Sequence, residues 1–538
     1  MNKWVYNLPP TEANETNGAL CYFSKDSLTA ITPTQWPSHL IKNISSALQM
    51  PEEKIFVNKT ISCEPSANSL WVNTLLVCQT CAAAKIAQKP VMLIFSREEN
   101  DKFISNTGEI AITHKMAFDK EGVIQAATID IDFDAGAFNP LAQEIIDRLT
   151  IASVSVYSFK NLEITAQARS SQKPPSSTNI ETIDAAAFYA IECQLQKAAD
   201  ITGIAPGDLR FANSKILKRQ ASKMPFALNI EKADYVLSAI LSQSDFNRKF
   251  ITNKINGSFK SNNIMARGIG LASAYDASGY YGTSIFECNQ IMEATLQKDG
   301  SLVIHALSPS KTILEIWKNE AAEILQIEPK MVKVNSEFSL KDEPLIPENF
   351  YSNLSIMTSL LKKCCQGIQA KRFRSPLPIT VRKAITKTQI KQWNSARFKG
   401  TPFHSTSFVT LALELTLDSC YFKPKIKNIW VAVSAGKILA GREAESKIKF
   451  SIQKTLAELA QGQAIDAQNI SIAFAQSDGE PAQIGGLIKK ALPAAFASAL
   501  SQALNADIHS LPLKNNEIFK TAMALEPKEG GQKKESAQ

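Results

Sequence analysis

The chain has 538 residues, 44% hydrophobic and 20% charged, enough for two to four domains with ample cores. Fifty-nine Lys and Arg against 51 Asp and Glu leave a net charge of +8, which reads as a mild excess spread along the chain, without the clustered cations and interleaved aromatics of a nucleic-acid surface. No apolar run reaches the roughly 18 residues of a membrane span, and Met1-Asn-Lys-Trp-Val-Tyr-Asn-Leu-Pro-Pro10 lacks the apolar core of an export signal, so nine Cys point to reduced thiols in a cytoplasmic protein.

Thr34-Gln35-Trp36-Pro37 opens a stretch with helical spacing to Leu48. Residues 75–86 are apolar and Ala-rich. Cys78 and Cys81 lie within them, but no second Cys-x-x-Cys completes a metal site, so buried helical thiols are expected. Cys364 and Cys365 fall in another helical stretch. His39, His114, His305, His404 and His509 are scattered, with no pair at ligand spacing. Residues 109–138 read as a β-hairpin about Asp119-Lys-Glu-Gly122, where Gly supplies a positive φ. In its second strand Ile129, Ile131 and Phe133 alternate with Asp130, Asp132 and Asp134. The carboxylates are expected on a solvated face.

Residues 167–178 are rich in Ser, Pro and Gln and read as a long loop of functional type. Helices are expected at 185–199 and 231–241, and a polar link at 252–263. Gly268-Ile-Gly270 suggests a dinucleotide fingerprint, but its third Gly is missing, so a strand with close backbone approach is the better reading. Ile452, Leu456 and Leu459 form a helical stripe ending near Gly462. The Lys/Glu/Gly-rich tail, residues 526–538, is expected to be disordered. No short-period repeat is found.

Near the C-terminus stand Gly479-Glu480-Pro481, Ile484-Gly485-Gly486, then Pro493-Ala494-Ala495-Phe496-Ala497-Ser498-Ala499 and Leu511-Pro512-Leu513. That order resembles the end of the molybdopterin-binding large subunit of the xanthine dehydrogenase / aldehyde oxidase family. Further segments fit the same family in order. They are Thr34-Gln35-Trp36-Pro37, Lys89-Pro90-Val91 with Ser96-Arg97-Glu98-Glu99, and Asp134-Ala-Gly136-Ala137. Glu192 follows, then Gly203 through Asp208-Leu209-Arg210 to Asn213, Arg267-Gly268-Ile269-Gly270, Asp299-Gly300-Ser301 and Ala321-Ala322-Glu323. The resemblance spans residues 12 to 520 and lacks the α/β domain that precedes the cofactor domains in the family.

The resemblance implies hydroxylation of a carbon next to nitrogen or oxygen, with a Glu as general base and Gly-rich turns around molybdopterin, the cytosine dinucleotide form included. It implies no iron–sulfur cluster or flavin in this chain. This sequence departs from the family at five turns. Ser62 to Asn68 replace a Gly-rich turn, Asn179 and Ile180 stand for Phe and Arg, and Ser310-Lys311-Thr312 replace Gly-Gln-Gly. Glu443 to Lys447 replace a Gln-Ile-x-Gly-Gly segment, and an ungapped count puts Gly486 at the catalytic Glu position. Glu480 is the rival base, reached by about six extra residues before the Ala-rich helix. Candidate cofactor contacts are Ser310, Lys311, Thr312, Gly485 and Gly486; no metal ligand is named.

The expectation is an α/β (α+β layered) chain of two tandem molybdopterin-binding-type domains, residues 1–213 and 259–525, with a helical linker at 214–258. Functionally it is expected as a homologue of the oxidoreductase subunit for purines, N-heterocycles or aldehydes, with degenerate cofactor turns and impaired catalysis. The alternative is a non-catalytic partner or assembly subunit. Iron–sulfur or flavin subunits, or a true molybdenum subunit, are the expected partners, with no nucleic acid and no membrane.

Overall fold

The computed structural model describes residues 1–7, 16–60, 70–103, 107–176, 180–214, 226, 228, 230–255, 265–281, 291–306, 311–335, 354–385, 393–394, 396–418, 422–460, 467–513 and 515–523. Its strands form four main sheets, and the sheets come in two matching pairs.

In the first half, Asn2–Asn7 pairs antiparallel with Glu109–Phe118, that strand antiparallel with Ile124–Asp134, and that one parallel with Asn161–Arg169. In the second half, Met265–Tyr280, Phe403–Asp418, Pro424–Ser434 and Ala467–Phe474 repeat the same order and directions. Each set carries one helix between its third and fourth strands, Ala142–Val154 or Gly441–Leu459. A second helix follows the fourth strand, Ile180–Thr202 or Leu487–Leu504. The parallel closing pairs require these crossovers.

A small module is inserted between the first and second strands of each set. The first holds Gly18–Ser24, Ser27–Thr32, Ile55–Lys59 and Val91–Ile94 with helices Pro37–Leu48 and Thr74–Ala87. The second holds Ile291–Leu296, Leu302–His305, Val332–Asn335 and Ile379–Ala384 with helices Lys311–Leu325 and Leu354–Lys371. Pairing directions agree strand for strand.

The match reaches single hydrogen bonds. Ala137 N–H donates to the Lys173 carbonyl and Ser176 N–H to that of Ala135; in the other half Lys437 N–H donates to Gly479 and Ala482 N–H to Ala435. Gly136 and Gly436 take φ of +69° and +65° at the matching strand ends. A side chain at either would strike backbone, the Pro174 or the Glu480 carbonyl oxygen, at 2.2 and 2.1 Å. The duplication has a period of about half the chain, too long for a short-period search.

The Ala-rich helix Leu487–Leu504 lies on Met265–Tyr280 and against Ile180–Thr202. A Cβ on Gly268 would stand 1.8 Å from the Ala499 oxygen, and one on Gly270 2.0 Å from the Ala495 oxygen. The pair of glycines is therefore a helix-packing device, as the strand reading expects.

The expected hairpin forms with Gly122 at φ +76°. Its carboxylate face is not fully solvated. Asp134 is buried and paired with Arg169 at 3.4 Å and Lys173 at 2.9 Å, because residues 170–176, beyond the strand Asn161–Arg169, fold back over the strand end. The expected helices extend to Ile180–Thr202, Ala233–Ser244 and Gly441–Leu459. Ala233–Ser244 and Phe246–Ile255 pack on the second-half sheet, and Lys249 pairs with Glu414 at 2.8 Å. Ser510–Leu511 returns to pair with Asn2–Asn7, so the C-terminal segment closes the first sheet. Cys81 and Cys365 are buried and Cys78 half-buried, all within helices. Among the described residues no helix is long and apolar enough to cross a membrane. The 526–538 tail lies outside the described residues.

Candidate functional site

The first turns of the two matching helices meet between the halves. Asp184 lies eight residues beyond Ser176, and Lys490 eight beyond Ala482, so the two occupy the same place in each repeat. Their side chains touch: Lys490 Nζ is 3.0 Å from Asp184 Oδ2 and 2.8 Å from Asp276 Oδ1. Arg148 Nη2 lies 3.0 Å from the same Asp184 oxygen. Its guanidinium sits over the Phe403 ring at 5.6 Å.

All four side chains are at most 3% exposed. Two cations face two anions, so the cluster is neutral. Burial works against the charge on Lys490, but Asp184 and Asp276 prevail and hold the ammonium above its ordinary pKa. Burial would raise Asp184, yet Arg148 and Lys490 hold it below the usual carboxylate range. Such pairs are costly to assemble and more costly to break, since removal of one partner strands a buried charge.

Asp276 also reaches the helix start. Its Oδ2 accepts from the Gly486 N–H at 3.0 Å and from Gln483 Nε2 at 3.2 Å. Gly486 precedes the first turn of Leu487–Leu504. A helix N-terminus offers unsatisfied N–H donors to an anion; here the anion is a carboxylate of the chain itself. A Cβ on Gly486 would stand 2.9 Å from that oxygen. The position that the ungapped count assigns to the base is filled. Gly485 is exposed, with open space where a Cβ would lie.

Glu480 stands elsewhere on the same turn. Its side chain is exposed, and its carbonyl packs against Gly436. Between it and Gly486, the Gln483 carbonyl accepts from Ser407 Oγ at 2.5 Å. Glu480 acts electrostatically on His404, whose Nδ1 is 2.8 Å from the Tyr281 hydroxyl. Burial and Lys363 lower the His404 pKa, with Glu480 opposing.

Lys311 and Thr312 open the helix Lys311–Leu325 of the second module. Ser310, residues 62–68 and Asn179 lie outside the described residues. Glu443 to Lys447 form the first turns of Gly441–Leu459, with both Glu side chains exposed. Among the described residues no group of three His, Cys, Asp or Glu is placed to hold a metal.

The Asp-Leu-Arg…Asn segment is a structural clamp. Arg210 Nε donates to Glu192 Oε2 at 2.8 Å and Nη2 to the Leu271 carbonyl at 3.0 Å, while Tyr157 OH donates to Glu192 Oε1 at 2.5 Å. Asn213 Nδ2 donates to the Gly122 and Leu209 carbonyls. This network ties the first-half helices to the second-half strand Met265–Tyr280. Sequence reasoning missed the ion cluster. Its signal was present: Asp184, Asp276 and Lys490 are charges inside otherwise small or apolar segments, Ile-Asp-Ala-Ala-Ala, Ala-Tyr-Asp-Ala and Lys-Lys-Ala-Leu.

Residues 71–214 match the family model of the molybdopterin cofactor-binding domain. Over 197 residues the chain is 23% identical to the nicotinate dehydrogenase large molybdopterin subunit of Eubacterium barkeri, covering 37% of this chain and 46% of that one. Among solved structures it superposes on the aldehyde oxidoreductase from Desulfovibrio gigas with a TM-score of 0.79 at 14% identity, covering 97% of this chain and 61% of that chain. The CO dehydrogenase from Oligotropha carboxidovorans gives 0.81 at 14%, covering 97% and 75%. The chain thus spans less than half of the nicotinate dehydrogenase subunit and about three-fifths of the aldehyde oxidoreductase. Its fold is that of the aldehyde oxidoreductase and CO dehydrogenase chains, and residues 71–214 match the molybdopterin cofactor-binding domain.

Proposed function

We propose that this chain is a divergent molybdopterin-binding-subunit homologue of the xanthine dehydrogenase / aldehyde oxidase type, cytoplasmic and multi-subunit, with impaired catalysis. One observation carries this reading. Asp276 Oδ2 lies 2.9 Å from where a Cβ at Gly486 would stand and accepts from the Gly486 N–H, and Lys490 neutralises it.

The cofactor of this family supplies oxygen transfer and electron storage at molybdenum. The described residues do not fit a metal centre at the Gly486 helix start. The Gly486 N–H there is taken by Asp276, and the four buried charges balance in sign, while Arg148 keeps Nε and Nη1 without a hydrogen-bond partner among the described residues. With the base lost, the rate falls on the general acid–base scale by about 10²–10⁴-fold. The chain then serves as a partner or assembly subunit of a true molybdenum subunit.

A second reading is favoured by Glu480. It is the exposed carboxylate of the Gly-Glu-Pro turn and acts electrostatically on His404, whose pKa burial lowers. A working hydroxylase of heterocycles or aldehydes would use it as base. Molybdenum and pterin measured per mole of the chain, purified with its natural partners, separate the two. Stoichiometric metal with activity abolished by Glu480→Gln supports the enzyme. A folded chain in a complex whose molybdenum is no more than a separate molybdenum subunit accounts for supports the impaired homologue.

A further inference from the structure

The charge surplus is not spread evenly. Residues 349–413 hold 11 Lys and Arg and no Asp or Glu, where the chain's average of 51 acids in 538 residues would place about six. This stretch contains the helix Leu354–Lys371, the strand Ile379–Ala384 and the tip between them, Lys371-Arg372-Phe373-Arg374-Ser375-Pro376-Leu377-Pro378.

Part of this surplus has an internal role. Arg372 Nη1 donates at 2.6 Å to the carbonyl of Leu325, which ends a helix. Lys371 ends its own helix, where a cation complements the dipole. Arg382 lies opposite Glu293 across the sheet. Arg374 and Lys383 are exposed and have no ion-pair partner among the described residues. Phe373 is 94% exposed at φ +67°, a conformation that a bulky residue rarely adopts and that holds its ring away from the core. The Arg372 guanidinium lies 5.2 Å from that ring, and Leu377 of the same tip is 38% exposed.

We propose that this tip is a docking surface for an acidic protein partner, with Phe373 as its apolar anchor and Lys371 and Arg374 as its charged rim. Aromatic side chains and Arg are the types that concentrate binding energy in protein interfaces. A single-stranded nucleic acid needs a groove with successive stacking aromatics, and here one ring protrudes. A lipid surface is held by longer basic clusters beside a broad apolar face. The proposal stands apart from the question of cofactor binding, since none of these residues belongs to the ion cluster.

The test uses the full chain and defined probes: an alternating Glu/Leu peptide, a Glu-only peptide of equal length, phosphatidylcholine vesicles with one-third phosphatidylserine, and poly-dT. The wild type binds the Glu/Leu peptide, more weakly as salt rises. Lys371→Glu with Arg374→Glu lowers that affinity by about tenfold, while Lys423→Glu with Lys425→Glu leaves it unchanged. Phe373→Ala lowers it by about tenfold for the Glu/Leu peptide and leaves the Glu-only peptide unaffected. Melting curves establish that each variant folds. Equal peptide binding by the tip variant and the wild type overturns the proposal, as does tighter binding of the vesicles or poly-dT than of either peptide.

Discussion

Asp184 and Lys490 take the same position in two copies of one topology, carry opposite charges, and meet at 3.0 Å. Their contact joins the two halves at the point where their helices begin. Asp276 extends it to the Gly486 amide and Arg148 closes it on the other side.

Lys490→Met leaves Asp276 with only neutral donors in a buried setting. The expected loss is about 3–5 kcal/mol, the cost of stranding a buried charge. Urea unfolding measures it. Adding Asp276→Asn recovers much of the loss, and a double-mutant cycle showing no coupling between the two sites would rule out the pair as described.

Gly486→Glu restores a carboxylate at the counted base position. It places a Cβ 2.9 Å from Asp276 Oδ2 and a second anion beside the first. The variant is expected to melt earlier, by about 1–3 kcal/mol of overpacking plus like-charge repulsion, and to gain no hydroxylase activity. A gain in turnover with unchanged stability would contradict the filled site.

Gly270→Ala drives a methyl into the Ala495 carbonyl, which is backbone and cannot swing aside. The loss should exceed about 3 kcal/mol, beyond ordinary overpacking. Gly203→Ala meets nothing within 4 Å, so only its φ of +74° matters, at roughly 1–2 kcal/mol. Comparing the two by thermal unfolding separates close approach from backbone strain.

His114 is buried, and neither ring nitrogen has a hydrogen-bond partner; burial lowers its pKa to about 3 from an ordinary 6.5. The unfolded chain binds this proton below 6.5 and the native state does not until about 3. Its contribution is therefore present above pH 6.5 and lost as the pH falls toward 3, with a slope of at most about 1.4 kcal/mol per pH unit. His39, lowered to about 4 by burial and Lys42, adds in the same direction. His114→Leu should flatten the acid limb of a stability–pH curve; an unchanged limb would show that this histidine is not protonated on unfolding.

Local signals made much of the fold legible. The Asp119–Gly122 turn, the Gly268-Ile-Gly270 close approach and the apolar helical stripes each follow from one residue's backbone freedom or from periodicity. The duplication was not legible, because its two copies share hydrogen bonds and φ values at Gly136 and Gly436 rather than side chains. The ion cluster was not legible either. Asp184, Asp276, Arg148 and Lys490 are far apart in sequence, and only the convergence of three helices on the strand Met265–Tyr280 brings them together. The charge cluster near Phe373 was in plain view as a stretch without acids, but net composition averaged it away.

The decisive measurement is molybdenum and pterin content per mole of the chain isolated with its natural partners, alongside Glu480→Gln. The filled helix start predicts no molybdenum beyond what a separate molybdenum subunit in the complex accounts for, and no turnover attributable to Glu480. One molybdenum per chain beyond that of any separate molybdenum subunit, with turnover that vanishes in Glu480→Gln, would contradict it.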